Sequence, residues 1–138
     1  MLRTLRISAL AALAALSAET ATAEAPDWQA LRDVGTVEVT TADPDGEPRV
    51  TTVWLAVLDG QGYVRTGGTR WGDNVARDPN LELAAGAERY PLRVELVEDD
   101  ALRQRIADAF RAKYGWSDAM LSWLRGGRPR IMRLLPRE

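Results

Sequence analysis

The chain has 138 residues, 18 of them Lys or Arg and 20 Asp or Glu, for a net charge of −2, and it contains neither cysteine nor histidine. That balance argues against non-specific nucleic-acid binding, which needs a clustered basic face. Without thiols or imidazoles, this chain has no disulfide, no Ser-His-Asp or Cys-His catalysis, no thiolate or imidazole metal centre and no His-ligated heme.

Residues 1 to 23 read as a secretory signal peptide. Arg3 and Arg6 form a short basic region, Ile7 to Ala18 is uncharged and apolar, and small residues follow. The apolar run is shorter than the roughly 20 residues needed to span a bilayer as a helix. Cleavage is expected after Ala23, in Ala21-Thr22-Ala23. The competing site after Ala25 would leave Pro26 first, and its ring fits poorly in an extended protease groove. Removing 23 of the 138 residues leaves 115, enough for one domain (24–138) with a single core and no membrane anchor. The expected location is the periplasm or outside the cell.

Asp27 to Arg32 is expected to form a short helix capped by Asp27, with Trp28 and Leu31 on its buried side. Thr36 to Thr41 alternates as a strand does. Asp43-Pro44-Asp45-Gly46 turns the chain, and Asp43, Asp45 and Glu47 read as turn chemistry rather than as a metal site. Val50 to Leu58 is nearly continuous in apolar residues and predicts one strand covered on both faces, with Trp54 in the core. An Asp59-Gly60-Gln61-Gly62 turn leads to its partner, Tyr63 to Thr66.

Asp73 to Arg77 predicts a short polar helical turn ended by Pro79. Leu81 to Ala85 is a fourth strand. Arg89 to Val97 is a fifth, and the outward-facing Pro91 suggests an edge or bulged position. Asp99 caps a long helix, Ala101 to Tyr114, whose Leu102, Ile106, Ala109, Phe110 and Tyr114 form one stripe, and Gly115 stops it. A shorter helix over Ser117 to Leu124, a Gly126-Gly127 break and a last strand, Arg130 to Leu135, complete the chain. Trp116 and Trp123 are expected to seal the barrel or line a dimer contact. Six strands with short connections, one helical excursion and a returning strand predict a small barrel, mainly β with α.

The segment from Arg49 to Pro79 carries the functional signal. The hairpin can bring Arg49 beside the Thr66 to Arg70 loop, so two guanidiniums, the hydroxyls of Thr66 and Thr69 and the backbone of Gly67 and Gly68 would face a phosphate. The bland alternative is a flexible connection with solvated arginines, and packing under the loop is the commoner fate of a tryptophan such as Trp71. The order of these features resembles the flavin- and deazaflavin-binding split-barrel superfamily, which includes pyridoxamine-phosphate-oxidase-like proteins and deazaflavin-dependent nitroreductases. The resemblance runs from about Arg49 to Leu83. It implies a six-stranded split barrel and a cofactor, FMN or a deazaflavin, whose phosphate is held by Arg49, Thr66, Thr69 and Arg70.

Trp71 stands where the oxidase-like proteins have a lysine. With Asn74 and Asp78-Pro79 it is closer to the pattern of the deazaflavin nitroreductases and of uncharacterised relatives grouped with them, and it could either stack on the cofactor ring or pack under the loop. The resemblance further implies a homodimeric oxidoreductase transferring hydride. No catalytic acid or base is identifiable, and none would be needed. The alternative is a cofactor-free split barrel acting as a small-ligand-binding or interaction module.

Overall fold

The computed structural model describes residues 25–115 and 128–137. The expected signal segment, the helix over Ser117 to Leu124 and both Trp116 and Trp123 lie outside the described residues. The strands are β1 (Val37–Ala42), β2 (Pro48–Val53), β3 (Ala56–Leu58), β4 (Gln61–Thr66), β5 (Asn80–Ala85), β6 (Glu88–Leu96) and β7 (Arg130–Pro136). Helix α1 (Arg70–Arg77) joins β4 to β5, and α2 (Asp100–Tyr114) follows β6. All pairings are antiparallel, in the order β2-β1-β5-β6-β7-β4-β3, and the sheet curls into a half-barrel.

The sheet has seven strands where six are expected, because the run from Val50 to Leu58 is two strands. Its halves, β2 and β3, are the two terminal members of the sheet, yet only Trp54 and Leu55 separate them in sequence. Three residue steps from Val53 to Ala56 span at most about 10 Å, so the sheet must curl until its ends meet. At the switch, the backbone of Leu55 finds partners on α2. Its N–H donates to the Tyr114 hydroxyl at 3.1 Å, and its carbonyl accepts from Lys113 Nζ at 2.6 Å. The expected cover on both faces of this run is also corrected: Val50 is 60% exposed, while Val53, Leu55 and Ala56 are buried. Trp54 is only partly buried, stacked on Tyr114 with ring centroids 4.1 Å apart.

Alternation along the strands separates two cores. Val37 and Val39, Val64, Leu81 and Leu83, Leu92 and Val94, and Met132 and Leu134 point inward, joined by Leu55 and Val53. Trp28 closes this interior beside Gly62, and Trp71 and Val75 of α1 close it beside Thr66. On the outside, Ile106 and Phe110 of α2 cover Ala56, Tyr63, Val97 and Ile131, with Leu102, Ala109 and Tyr114 packed against them, as the helical stripe predicts. Asp99 caps α2 by accepting from Leu102 N at 2.8 Å, and Gly115, with φ of 82°, ends it.

Other local expectations shift. Residues 28–33 form successive turns rather than a helix, closed by bonds such as Leu31 N to Trp28 O at 3.1 Å. Only Asp59 and Gly60 form the hairpin turn, both with positive φ, and Gln61 already pairs with Leu58 in the ladder. β6 lies inside the sheet, but Pro91 pairs only with Glu82 of β5, because the ladder to β7 begins at Leu92. The missing donor of Pro91 is therefore tolerated at a local edge.

A Cβ on Gly62 would lie 2.4 to 2.8 Å from ring atoms of Trp28. Gly62→Ala is expected to destabilise the fold by about 1–3 kcal/mol through overpacking, read from the urea midpoint, and adding Trp28→Leu should recover much of the loss. Tyr114→Phe strips the Leu55 N–H of its partner at the strand switch. It should cost about 1–3 kcal/mol in the same assay while the stack on Trp54, seen in the near-ultraviolet circular dichroism, persists.

Candidate functional site

Arg49 sits on β2 opposite Thr41 of β1, and the side chains of both lie on the same sheet face. The β1–β2 turn is closed by its own backbone, Asp43 N to Glu47 O and Gly46 N to Asp43 O, each 2.8 Å. This leaves the Asp43 carboxylate free for side chains. Arg49 grips it with two bonds, Nε to Oδ1 at 2.7 Å and Nη2 to Oδ2 at 3.1 Å, and Asn74 of α1 adds a third at 2.9 Å. Asn74 is buried and also donates to Thr41 Oγ1 at 3.0 Å, so one amide fastens α1 to the hairpin.

Helix α1 begins earlier than the expected Asp73, because Thr69 is its cap and accepts from Gly72 N at 3.2 Å. Arg70, Asp73, Asn74 and Arg77 then recur at helical spacing and face the hairpin across a cleft of about 420 Å³, whose other wall carries Asp43, Asp45 and Arg49. Arg77 Nη2 is bound to the Ala42 carbonyl at 2.6 Å and to Asn74 Oδ1 at 3.2 Å. Arg70 is exposed and makes no hydrogen bond or ion pair among the described residues. The cleft thus holds three guanidiniums and three carboxylates, and Arg70 is the cation with a vacant hydrogen-bonding edge.

The fold brings Arg49 and Arg70 to one cleft, while Thr66 and Thr69 lie beneath it. The two threonine hydroxyls are hydrogen bonded to each other, Thr66 is 6% exposed, and neither lines the cleft. Neither Gly67 nor Gly68 has positive φ, and the Gly67 carbonyl accepts from Arg130 Nη2 at 2.8 Å, so the glycines do not form the expected anion nest. Trp71 is 4% exposed and belongs to the interior core, which leaves no face for a ring to stack on. Arg130, from the last strand, binds the carbonyls of Gly67 and Gly72 and lies 3.3 Å from Asp73 Oδ1. A Cβ at Gly72 would lie 2.7 Å from that guanidinium and 2.7 Å from Thr66 Cγ2, so the glycine gives both side chains room.

Sequence reasoning did not assign Asp43, Asn74, Arg77 or Arg130 to the site. The first was readable in principle, since a tight turn after paired strands sets Asp43 and Arg49 side by side.

The fold is a split barrel, and solved structures with the same fold superpose on it. HutZ, the heme storage protein of Vibrio cholerae, matches with a TM-score of 0.63 and 16% identity over 82% of this chain and 89% of its own. A pyridoxamine 5'-phosphate oxidase-like protein of Listeria innocua gives 0.59 and 15% over 80% and 90%. A FAD-binding protein of Mesorhizobium loti gives 0.58 and 16% over 80% and 85%. The chain itself belongs to the family described as an uncharacterized protein conserved in bacteria (DUF2255), whose model matches residues 27–131. No curated protein matches it.

The hydrogen bonds from Arg49 first, and from Asn74 second, hold the Asp43 carboxyl below its ordinary value of 3.8. An acid depressed in the folded state stabilises the fold above its unfolded pKa and loses that contribution as pH falls through the folded value. Urea midpoints should therefore decline below about pH 4, and Asp43→Asn should flatten that part of the acid limb.

Proposed function

We propose that this protein is an oxidoreductase that binds a flavin or deazaflavin in the cleft between the β1–β2 hairpin and α1, acting as an exported homodimer. The observation that carries the reading is the Arg70 guanidinium, without a hydrogen bond or ion pair among the described residues, in a cleft of about 420 Å³ on a split barrel. A cavity of this size is within the usual range for cofactor sites, roughly 300–1,000 Å³. The bound cofactor would supply hydride transfer. Arg70 would hold its anionic group, the Asp43–Arg49–Asn74 cluster would fix the facing wall, and the hydrogen-bonded Thr66–Thr69 pair would keep the start of α1 in place. Among solved structures of this fold, one is a heme storage protein and another a FAD-binding protein. A chain without histidine or cysteine offers heme iron neither of its commonest axial ligands, which favours the flavin side.

One observation favours the cofactor-free alternative, a ligand-binding or interaction module. Arg49, the strand arginine that the resemblance assigns to a cofactor phosphate, is already neutralised by Asp43.

The natural chain, purified from the periplasm after cleavage at Ala23, should quench the fluorescence of an added flavin or deazaflavin saturably. Arg49→Ala with Arg70→Ala should weaken that binding at least tenfold, since a charge-assisted hydrogen bond contributes about 1.5–3 kcal/mol. Sedimentation should give twice the mass of the mature chain. Failure of every such cofactor to bind would leave the alternative reading.

A further inference from the structure

The charges around the cleft restrict what anion it takes, an inference that rests on the cleft being the ligand site. Arg49 has its Nε and Nη2 edge committed to Asp43, and that carboxylate is held by three hydrogen bonds. Arg77 has one nitrogen bound to both the Ala42 carbonyl and Asn74. Among the described residues lining the cleft, Arg70 is the arginine whose fork holds no partner, and a guanidinium fork matches two oxygens sharing one negative charge. The three guanidiniums of the cleft are already matched in number by the carboxylates of Asp43, Asp45 and Asp73, so a third oxygen carrying a second charge would find no further cation among the lining residues.

We propose that Asp43 makes this cleft selective for singly charged anionic groups, a phosphodiester or a carboxylate, over a phosphate monoester dianion. Asp43 is thereby a specificity-determining residue. The consequence for a nucleotide cofactor is that the group recognised is an internal diester or an acid side arm rather than a terminal phosphate.

The test uses small probes, so it does not depend on any flavin. Dimethyl phosphate, propionate and methyl phosphate are titrated into the mature protein while NMR follows the Asn74 side-chain amide and the Arg70 Nε–H. Methyl phosphate loses its second proton near pH 6. The chain has no histidine, so no imidazole changes charge between about pH 5 and 7.5. The charged groups around the probe are Asp43, Asp45 and Arg49 of the hairpin, Arg70, Asp73 and Arg77 of α1, and Arg130 of β7 behind Asp73.

Dimethyl phosphate and propionate are expected to bind alike at both pH values, and a clear preference between them would name the source of the anion. Methyl phosphate should match them at pH 5 and bind about fivefold more weakly at pH 7.5, the size of one like-charge contact in a wet site. In Asp43→Asn, methyl phosphate at pH 7.5 should recover to the level of the diester. Methyl phosphate binding the unaltered protein at pH 7.5 as tightly as dimethyl phosphate would overturn the proposal, and so would the failure of all three to shift these resonances. If the variant does not fold, the pH comparison on the unaltered protein decides alone. The expected pattern without flavin quenching would sink the oxidoreductase reading and leave this one standing.

Discussion

The architecture depends on one strand serving both ends of one sheet. β2 and β3 are a single extended run broken at Trp54-Leu55, and the break is where the chain leaves β1 and takes up with β4. A buried backbone group without a partner costs about 1–3 kcal/mol, and Leu55 is fully buried with both of its groups turned out of the ladder. Lys113 and Tyr114, the last two residues of α2, supply those partners, and the same two side chains reach Val34 and Gly35 ahead of β1. The C-terminal end of α2 therefore ties the strand switch to the start of the sheet. Burial of Lys113 lowers its pKa, a cost consistent with an ammonium recruited for its donors rather than for solvation.

That closure positions the cleft. Because β2 must run from the hairpin to the switch, the β1–β2 turn projects at the rim where β4 hands over to α1. Asn74 then spans the gap to Thr41 and Asp43. The barrel interior below is sealed by Trp71 and Val75 of the same helix. One eight-residue helix thus has an apolar side that plugs the barrel and a polar side that lines the cleft, so substitutions on either side are coupled through its position.

The elements that periodicity controls were legible from sequence: β1, β5, β6, β7 and the stripe of α2 all read correctly from alternation or helical spacing. The strand switch was not, because nothing local marks Trp54-Leu55. The partners that permit the break lie 58 to 59 residues further on. The start of α1 was obscured in the same way. Gly72 in its first turn lowers helix propensity, and the space it keeps clear is that of Thr66 Cγ2 and of the guanidinium of Arg130, 58 residues away. With α1 begun too late, the helical spacing of Arg70, Asn74 and Arg77 was hidden. The threonines were found, but their hydroxyls satisfy the helix cap and each other.

Asp43 shows why turn chemistry and ligand chemistry need not be rival explanations. Its main chain closes the hairpin with Glu47 and Gly46, so the direction of its side chain is fixed by a four-residue turn rather than by the barrel. Its carboxylate neutralises an arginine that a strand delivers to the cleft whatever the turn contains. Replacing the turn sequence would change the charge seen by a ligand while leaving every sheet pairing from β1 to β7 in place. Under the proposed selectivity, the anion preference of this cleft would be set at a surface turn rather than within the closed sheet.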